Sequence, residues 1–308
     1  QCEVVDYVIS ECLTARLPNP CVVCNGTVKF SSLLKKADEL RCELVATGHY
    51  AKVVKNADGS EANLYRAVDA ENDQTYYLWT LAQEQLARTI MPLGDLLESN
   101  VRKMATTFGI TQRPVERGRR ICFVDDVSHR DLVQARVPER YRPGGPIVDP
   151  EGQMLGRHPG LFNYRIAQRR VAGVERPDAI DKCVTGFDVK LNAVILGETK
   201  ELYQSAAVVT ACNWIGSQDF SRGLKAKARI RPAHHAEADC MVTLLGNNSA
   251  RVDFDKPQIA ITPGQAIVFY QEDVLAGGAW IEALVEPITP KLNKRLAFTI
   301  TEKELSKK

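Results

Sequence analysis

From residue 203 to residue 285 the chain reads as one strand after another, with connections too short to hold a helix. Met241 to Leu245 and Ala250 to Phe254 flank Gly246-Asn247-Asn248-Ser249, residues that tolerate the positive φ of a tight hairpin. Gln265 to Tyr270 leads through Gln271-Glu272-Asp273 into a further strand from Val274. Upstream, Lys225, Lys227, Arg229 and Arg231 alternate with Ala226, Ala228 and Ile230, which predicts a strand with one basic and one apolar face. A small β-barrel accounts for the whole region.

The other end has a different texture. Residues 1–112 alternate between helix and strand signals. Phe30, Leu33, Leu34, Ala37 and Leu40 fall at helical spacing, and Glu43 to Thr47 is a short apolar run ending at Gly48. Ser99 stands before Val101, Met104, Ala105 and Phe108, with Gly109 behind them, the order of cap, stripe and stop. This pattern predicts an α/β half with a mostly parallel sheet. From about residue 143, Pro143 to Pro146, Asp149 to Gly152 and His158 to Gly160 are dense turn signals between short segments. Three textures in 308 residues suit two or three domains.

Nothing in the sequence has the eighteen-residue apolar run of a membrane helix. The start, Gln1 to Asp6, has neither a basic leader nor an apolar core, lacks Met, and begins inside helix-like sequence, so the protein is expected to continue upstream. The nine cysteines are odd in number and irregular in spacing, which argues against a disulfide scaffold and for a reducing compartment. Cytoplasm is expected, or the mitochondrion in a eukaryotic source. The net charge of +2 is uninformative, but basic residues cluster at 113–120, 136–142, 165–176 and 225–231. Separate basic patches suit a long polyanion better than a small anion.

Two cysteines stand apart. Pro18-Asn19-Pro20-Cys21-Val22-Val23-Cys24-Asn25 presents a Cys-x-x-Cys just ahead of a helix, where the dipole favours thiolate. On spacing alone three readings stay open: half a zinc site, a redox pair, or inert thiols. Zinc lacks a second Cys-x-x-Cys or a His-x-His. Cys122 follows Arg117, Arg119 and Arg120 in a strand-like segment, cationic company that also favours thiolate, although such a cysteine is more often core. Ala46-Thr47-Gly48-His49-Tyr50-Ala51 places a glycine and a histidine past a strand, where open α/β sheets bind ligands. In Asn72-Asp73-Gln74-Thr75-Tyr76-Tyr77-Leu78 an acid and an amide stand where a loop enters a helix; Asp73 serves equally as an N-cap.

Each motif is ambiguous alone, but their order is not. Asn-Pro-Cys-x-x-Cys-Asn, Ala-Thr-Gly-His-Tyr-Ala, Asp-Gln-Thr-Tyr-Tyr-Leu, Pro92-Leu-Gly-Asp95 and Ile121-Cys-Phe-Val124 together resemble the tRNA-specific 2-thiouridylase family. The likeness continues through Gly160 to Arg169 and through Thr262 to Tyr270, covering roughly residues 10 to 285. It implies an adenine-nucleotide hydrolase-like (PP-loop) parallel-sheet domain, a small central domain and a C-terminal β-barrel. The expected bounds are 1–125, 126–202 and 203–287, the second binding tRNA, with a frayed tail at 288–308.

Members of such a family use ATP, with Mg as its counter-ion, to make the 2-oxygen of a wobble uridine a leaving group, and then replace it with sulfur. The resemblance implies Cys122 as the persulfide carrier and Cys24 as its partner nucleophile, ending in a Cys24–Cys122 disulfide. It implies that Asn19, Pro20 and Cys21 meet the target base and Gly48 the nucleotide. It sets His49, Asn72, Asp73, Gln74, Arg231, Pro232 and Gln265 against tRNA. No bound metal is expected, and a sulfur-carrier protein or cysteine desulfurase would feed the relay. The chain departs from the family pattern at Gly26, Asn72 and Arg117 to Arg120, and the family's Ser-Gly-Gly-x-Asp-Ser loop for ATP lies outside it. A missing upstream segment explains that loop; the alternative is a tRNA-binding relative that does not activate uridine.

Overall fold

The computed structural model describes residues 2–110, 129–232 and 237–285. Helix α1 (Cys2–Leu13) buries Val4, Val5, Val8 and Cys12. Pro20 then takes the first position of a new helix, where its fixed φ fits and no N–H is needed. That helix runs through α2 (Pro20–Val23), a π-helical turn (Cys24–Lys29) and α3 (Phe30–Glu39). The Cys-x-x-Cys therefore lies within the first turns of the helix, not ahead of it as the sequence suggested.

Strand β1 (Val45–Ala46) follows, then a hairpin of β2 (Lys52–Lys55) and β3 (Ala62–Tyr65), α4 (Gln83–Ala87), β4 (Thr89–Ile90) and α5 (Glu98–Thr107). β1 and β4 pair in parallel, as the α/β reading requires. The hairpin is antiparallel, and β3 extends the sheet of the C-terminal barrel. Ser99 does not cap α5, because the helix already includes Glu98. The Glu98 N–H is instead held by the distant Asp69 carboxylate at 2.8 Å, a cap no local pattern shows.

After α6 (His129–Arg136), a four-stranded sheet joins β5 (Gly145–Val148), β6 (Met154–His158), β7 (Cys183–Asp188) and β8 (Ala193–Gly197) in the order β6-β5-β8-β7. Ile147, Leu155, Val184, Val194 and Leu196 form its core. α6 packs against α1 through Leu132, Val133 and Val137.

The barrel comprises β9 (Tyr203–Trp214), β10 (Leu224–Arg229), β11 (Ala238–Gly246), β12 (Ser249–Ile259), β13 (Ala266–Gln271) and β14 (Val274–Leu284). All pairings are antiparallel, and β13 pairs with both β10 and β14, which closes the ring and removes free edges. Asn247 and Asn248, both at positive φ, make the two-residue turn expected between β11 and β12.

β13 explains how the halves meet. Its period-2 alternation sends Ile267 and Phe269 into the barrel core and Ala266, Val268 and Tyr270 outward. The outward set packs with Val22, Phe30, Leu64, Tyr76, Leu78 and Trp79 of the N-terminal part. A run apolar on both faces is what a strand between two cores needs. Gly278 permits the same contact on β14, since a Cβ there would stand 2.5 Å from the Trp79 ring.

Candidate functional site around the cysteine-bearing helix

Residues 17–20 are stitched to the barrel. The Leu17 N–H donates to the Pro263 carbonyl at 3.0 Å, and the Gln265 side-chain amide donates to Leu17 and Pro18 carbonyls at 3.0 and 3.3 Å. Asn19, also buried, donates its backbone N–H to the Tyr7 hydroxyl at 3.1 Å and its side-chain amide to the Tyr76 hydroxyl at 3.4 Å. Tyr76 in turn donates to the Ala266 carbonyl at 2.8 Å. Burial pushes the Tyr76 phenol well above its usual range and the Tyr7 phenol up to about 12, so both remain donors. The segment 262–266 thus fixes the backbone from which α2 starts.

Cys21 is exposed in the first turn of α2, and Cys24, partly exposed, opens the π-helical turn. Such turns insert an extra residue per hydrogen-bonded ring and recur at functional sites. This one is clamped from behind. Asn25, only 2% exposed, donates to the Tyr77 carbonyl at 3.0 Å while its Oδ1 has no donor among the described residues. Gly26 lies against Thr80 so closely that a Cβ would come within 2.6 Å of the Thr80 hydroxyl.

Downstream, Phe30 stacks on His49 at 5.6 Å, bringing the cysteine helix beside the loop after β1. Burial, aided by the nearby Lys29, lowers His49 to about 4, so at neutral pH it is an uncharged imidazole with Nδ1 at 2.9 Å from the Thr47 hydroxyl. Such an imidazole can offer a ligand a hydrogen bond, not a charge. Gly48 is exposed, and a Cβ there would touch only Leu93 Cδ1 at 3.7 Å, so that side of the backbone is open.

Gln74 locks this loop to the next motif: it accepts the Tyr50 N–H at 2.9 Å through its side chain and donates its own N–H to the Tyr50 carbonyl at 2.9 Å. Asn72 donates to Asp69 and Glu98 carboxylates at 3.0 and 3.3 Å. Asp73 is turned inward. Its carboxylate accepts from the Thr75 hydroxyl at 2.8 Å, the Ala67 N–H at 3.2 Å and the Arg229 guanidinium at 3.0 Å.

Arg229 corrects the expectation of an exposed basic face on β10. Lys225 and Lys227 are exposed, but Arg229 is 7% exposed. It also bonds Glu237 at 3.1 Å, and Arg66 reaches the same carboxylate at 2.6 Å while lying 3.5 Å over the Tyr270 ring. Burial alone would lower the Arg229 guanidinium, but Tyr270, Asp73 and Glu237 outweigh it and keep the charge. No local pattern marks this cluster, because its members come from four separate segments.

Arg231 and Pro232 follow β10 on the Ile259 side, where the half-buried Arg231 donates to the Ile259 carbonyl. Burial lowers this guanidinium, with Tyr76 acting in the opposite direction. Gln265 and Asn19 are thus tied through the 17–20 loop and Tyr76, Gln74 holds the 47–50 loop through Tyr50, and His49 meets the cysteine-bearing helix at Phe30. Cys122, the basic stretch 113–120 and the tail 291–308 lie outside the described residues. Among the described residues no three His, Cys, Asp or Glu side chains gather as a metal-ligand set, and no helix is long and apolar enough to cross a membrane.

Comparison with known proteins agrees with this architecture. Residues 1–126 match the family described as tRNA methyl transferase HUP domain, and residues 204–281 match the aminomethyltransferase beta-barrel domain. The tRNA-specific 2-thiouridylase MnmA of Symbiobacterium thermophilum is 42% identical over 92% of the chain and 72% of its own length. That of Halothermothrix orenii is 41% identical over 91% of the chain and 77% of its length. That of Geobacter metallireducens is 42% identical over 91% and 74%.

Proposed function

The chain belongs to the tRNA-specific 2-thiouridylase family, and from that membership we propose that it converts a wobble uridine of tRNA to 2-thiouridine through Cys24 and Cys122. The observation that carries the proposal is the placement of Cys24. It opens a π-helical turn that starts from a loop pinned to the barrel by Gln265 and is locked from behind by Asn25. A nucleophile needs such fixed approach, since small misplacements lose rate steeply.

ATP, carried with magnesium, supplies the leaving group that a urea-like carbonyl oxygen lacks. The open backbone at Gly48, past the carboxyl end of β1, fits a nucleotide. The terminal sulfur of a Cys122 persulfide attacks C2 of the activated uridine as the oxygen leaves with AMP. The Cys24 thiolate attacks Cys122 Sγ, the persulfide S–S bond breaks, and its electron pair passes to the sulfur now on C2. The products are 2-thiouridine and a Cys24–Cys122 disulfide, which a cellular thiol must reduce before the next cycle. A sulfur-carrier protein or cysteine desulfurase reloads Cys122, and a reducing cytoplasm keeps both thiols available.

Asn19, Pro20 and Cys21 face the target base, which an anticodon loop exposes with little unstacking. His49, Asn72 to Gln74, Arg231, Pro232 and Gln265 contact tRNA directly or hold the loops that do. Full-length protein with ATP, a persulfide donor and tRNA should place sulfur on the wobble uridine, and Cys122→Ser should stop this while tRNA still binds. Undiminished thiolation by Cys122→Ser overturns the assignment, and tRNA binding without thiolation by the wild type marks a non-catalytic relative.

A further inference from the structure

Cys21 stands one helical turn before Cys24 in a continuous helical run from Pro20 to Glu39. Side chains three apart on a helix are neighbours, with Cβ atoms about 5 to 6 Å apart. The Cys24 N–H is shared between the Pro20 and Cys21 carbonyls, which draws the turn toward i,i+3 closure, the geometry in which such side chains eclipse. A disulfide holds its Cβ atoms about 3.5 to 4.5 Å apart, so the turn must give by about 1 to 2 Å. The fixed points are Asn19 before the pair and Asn25 after it, both buried and hydrogen-bonded, and Cys21 lies exposed between them.

No other described cysteine is placed to reach Cys24. Cys12, Cys212 and Cys240 are buried, and burial pushes the first two thiols up to about 11 and the third to about 12. Cys183 is buried in β7, its thiol directed at the Gly197 carbonyl at 3.7 Å. Cys42 is exposed but stands past the far end of α3.

The sulfur transfer proposed above ends with Cys24 in a disulfide. Cys24 is only partly exposed, and its turn is clamped against residues 77–80. A reductant from solution meets a crowded sulfur there, and exchange depends on access. A thiol in the same helical turn meets it at high effective concentration, and the first turn of a helix favours the thiolate that exchange needs. We propose that Cys21 is the resolving thiol of the cycle, taking Cys24 over from Cys122 into a Cys21–Cys24 disulfide at the protein surface. This role presupposes the proposed sulfur transfer. Cys21 faces the target base during transfer and turns to Cys24 once the product leaves. Its thiolate attacks Cys24 Sγ, the Cys24–Cys122 bond breaks, and the electron pair leaves on Cys122 Sγ, which takes up a proton. A cellular dithiol then reduces the exposed Cys21–Cys24 bond and becomes a disulfide itself. Cys122 is thus free for reloading without direct attack from solution.

Two experiments on the full-length protein test this. In a buffer of oxidised glutathione, Cys122→Ser should form a Cys21–Cys24 disulfide as its main oxidised product, read by mass spectrometry as a peptide holding both cysteines that resists alkylation until reduced. Glutathione adducts on Cys21 and Cys24 with no bond between them overturn the resolving role, whatever the enzyme does to tRNA. The second experiment compares wild type and Cys21→Ser by the ratio of steady-state to single-turnover thiolation rate, which cancels an effect on base binding. At limiting dithiothreitol the ratio should fall about tenfold or more in Cys21→Ser, and it should recover as dithiothreitol rises. After one turnover without reductant, wild type should hold the Cys21–Cys24 disulfide with Cys122 open to alkylation, and Cys21→Ser should hold Cys24 linked to Cys122. A wild type that thiolates tRNA, keeps Cys24 linked to Cys122 and shows the same ratio as Cys21→Ser overturns this role alone. A wild type that does not thiolate tRNA overturns both this role and the proposed function.

Discussion

Arg229→Met should destabilise the protein by about 3 to 4 kcal/mol. The side chain of Asp73 is 2% exposed and that of Arg229 is 9% exposed, with 3.0 Å between them. At an effective dielectric constant of about 20, a unit pair at about 4 Å is worth about 4 kcal/mol. The methionine fills the space of the Arg stem but supplies no charge, so Asp73 keeps a buried carboxylate with only Thr75 and the Ala67 N–H to hold it. Glu237 loses less, because Arg66 still bonds it at 2.6 Å. Urea unfolding of the wild type, the single variant and Asp73→Asn/Arg229→Met measures the coupling. The double variant should recover at least about 2 kcal/mol of the single loss, since asparagine is cheaper to leave without a cation. Arg229→Met within about 1 kcal/mol of wild type, or coupling under about 0.5 kcal/mol, would refute a buried pair that orients the 72–74 motif.

Cys24→Ser should abolish thiolation in single-turnover assays while tRNA affinity changes little; thiolation at the wild-type rate excludes Cys24 as nucleophile. His49 protonates near 6.5 when unfolded and near 4 when folded, so the unfolded state gains on acidification across that window. Stability should therefore fall as pH drops from about 6.5 to 4, by at most about 3 kcal/mol from this residue, and His49→Gln should flatten the profile. An imidazole that titrates near 6.5 by NMR in the folded protein contradicts this. Gln265→Leu should cost about 1 to 3 kcal/mol in denaturant unfolding and slow thiolation, because two buried carbonyls lose their donor. Equal stability and equal rate would show that the barrel does not hold the cysteine loop. Gly26→Ala should cost about 1 to 3 kcal/mol by pressing on Thr80, and Thr80→Gly in the same chain should restore most of it.

Local pattern carried a good part of this protein. Alternation and turn chemistry between 203 and 285 predicted the barrel strands, because a half-buried strand imposes period 2 and the Asn247-Asn248 turn needs residues that accept positive φ. β1 falls inside the apolar run that ends at Gly48, but the two-residue β4 that pairs with it in parallel had no mark in the sequence. The ordered motifs carried the family, because chemistry constrains residue type at fixed spacing. What the sequence left open depended on distant partners. Pro18-Asn19-Pro20 suggested an extended turn before the helix, yet Pro20 begins the helix, since the loop before it is fixed by Pro263 and Gln265. Arg229 looked like one more exposed base on β10, and only the packing of residues 66–75 across the barrel made it a buried counter-ion for Asp73. Ser99 looked like a cap until Asp69 took that role from thirty residues upstream. The cysteines were visible as a motif; the π-helical turn that places Cys24 is a product of Asn25 and Gly26 fitting the 77–80 segment. A sequence records which groups are present and how they repeat, while which of them end up facing one another is decided by how separate cores close.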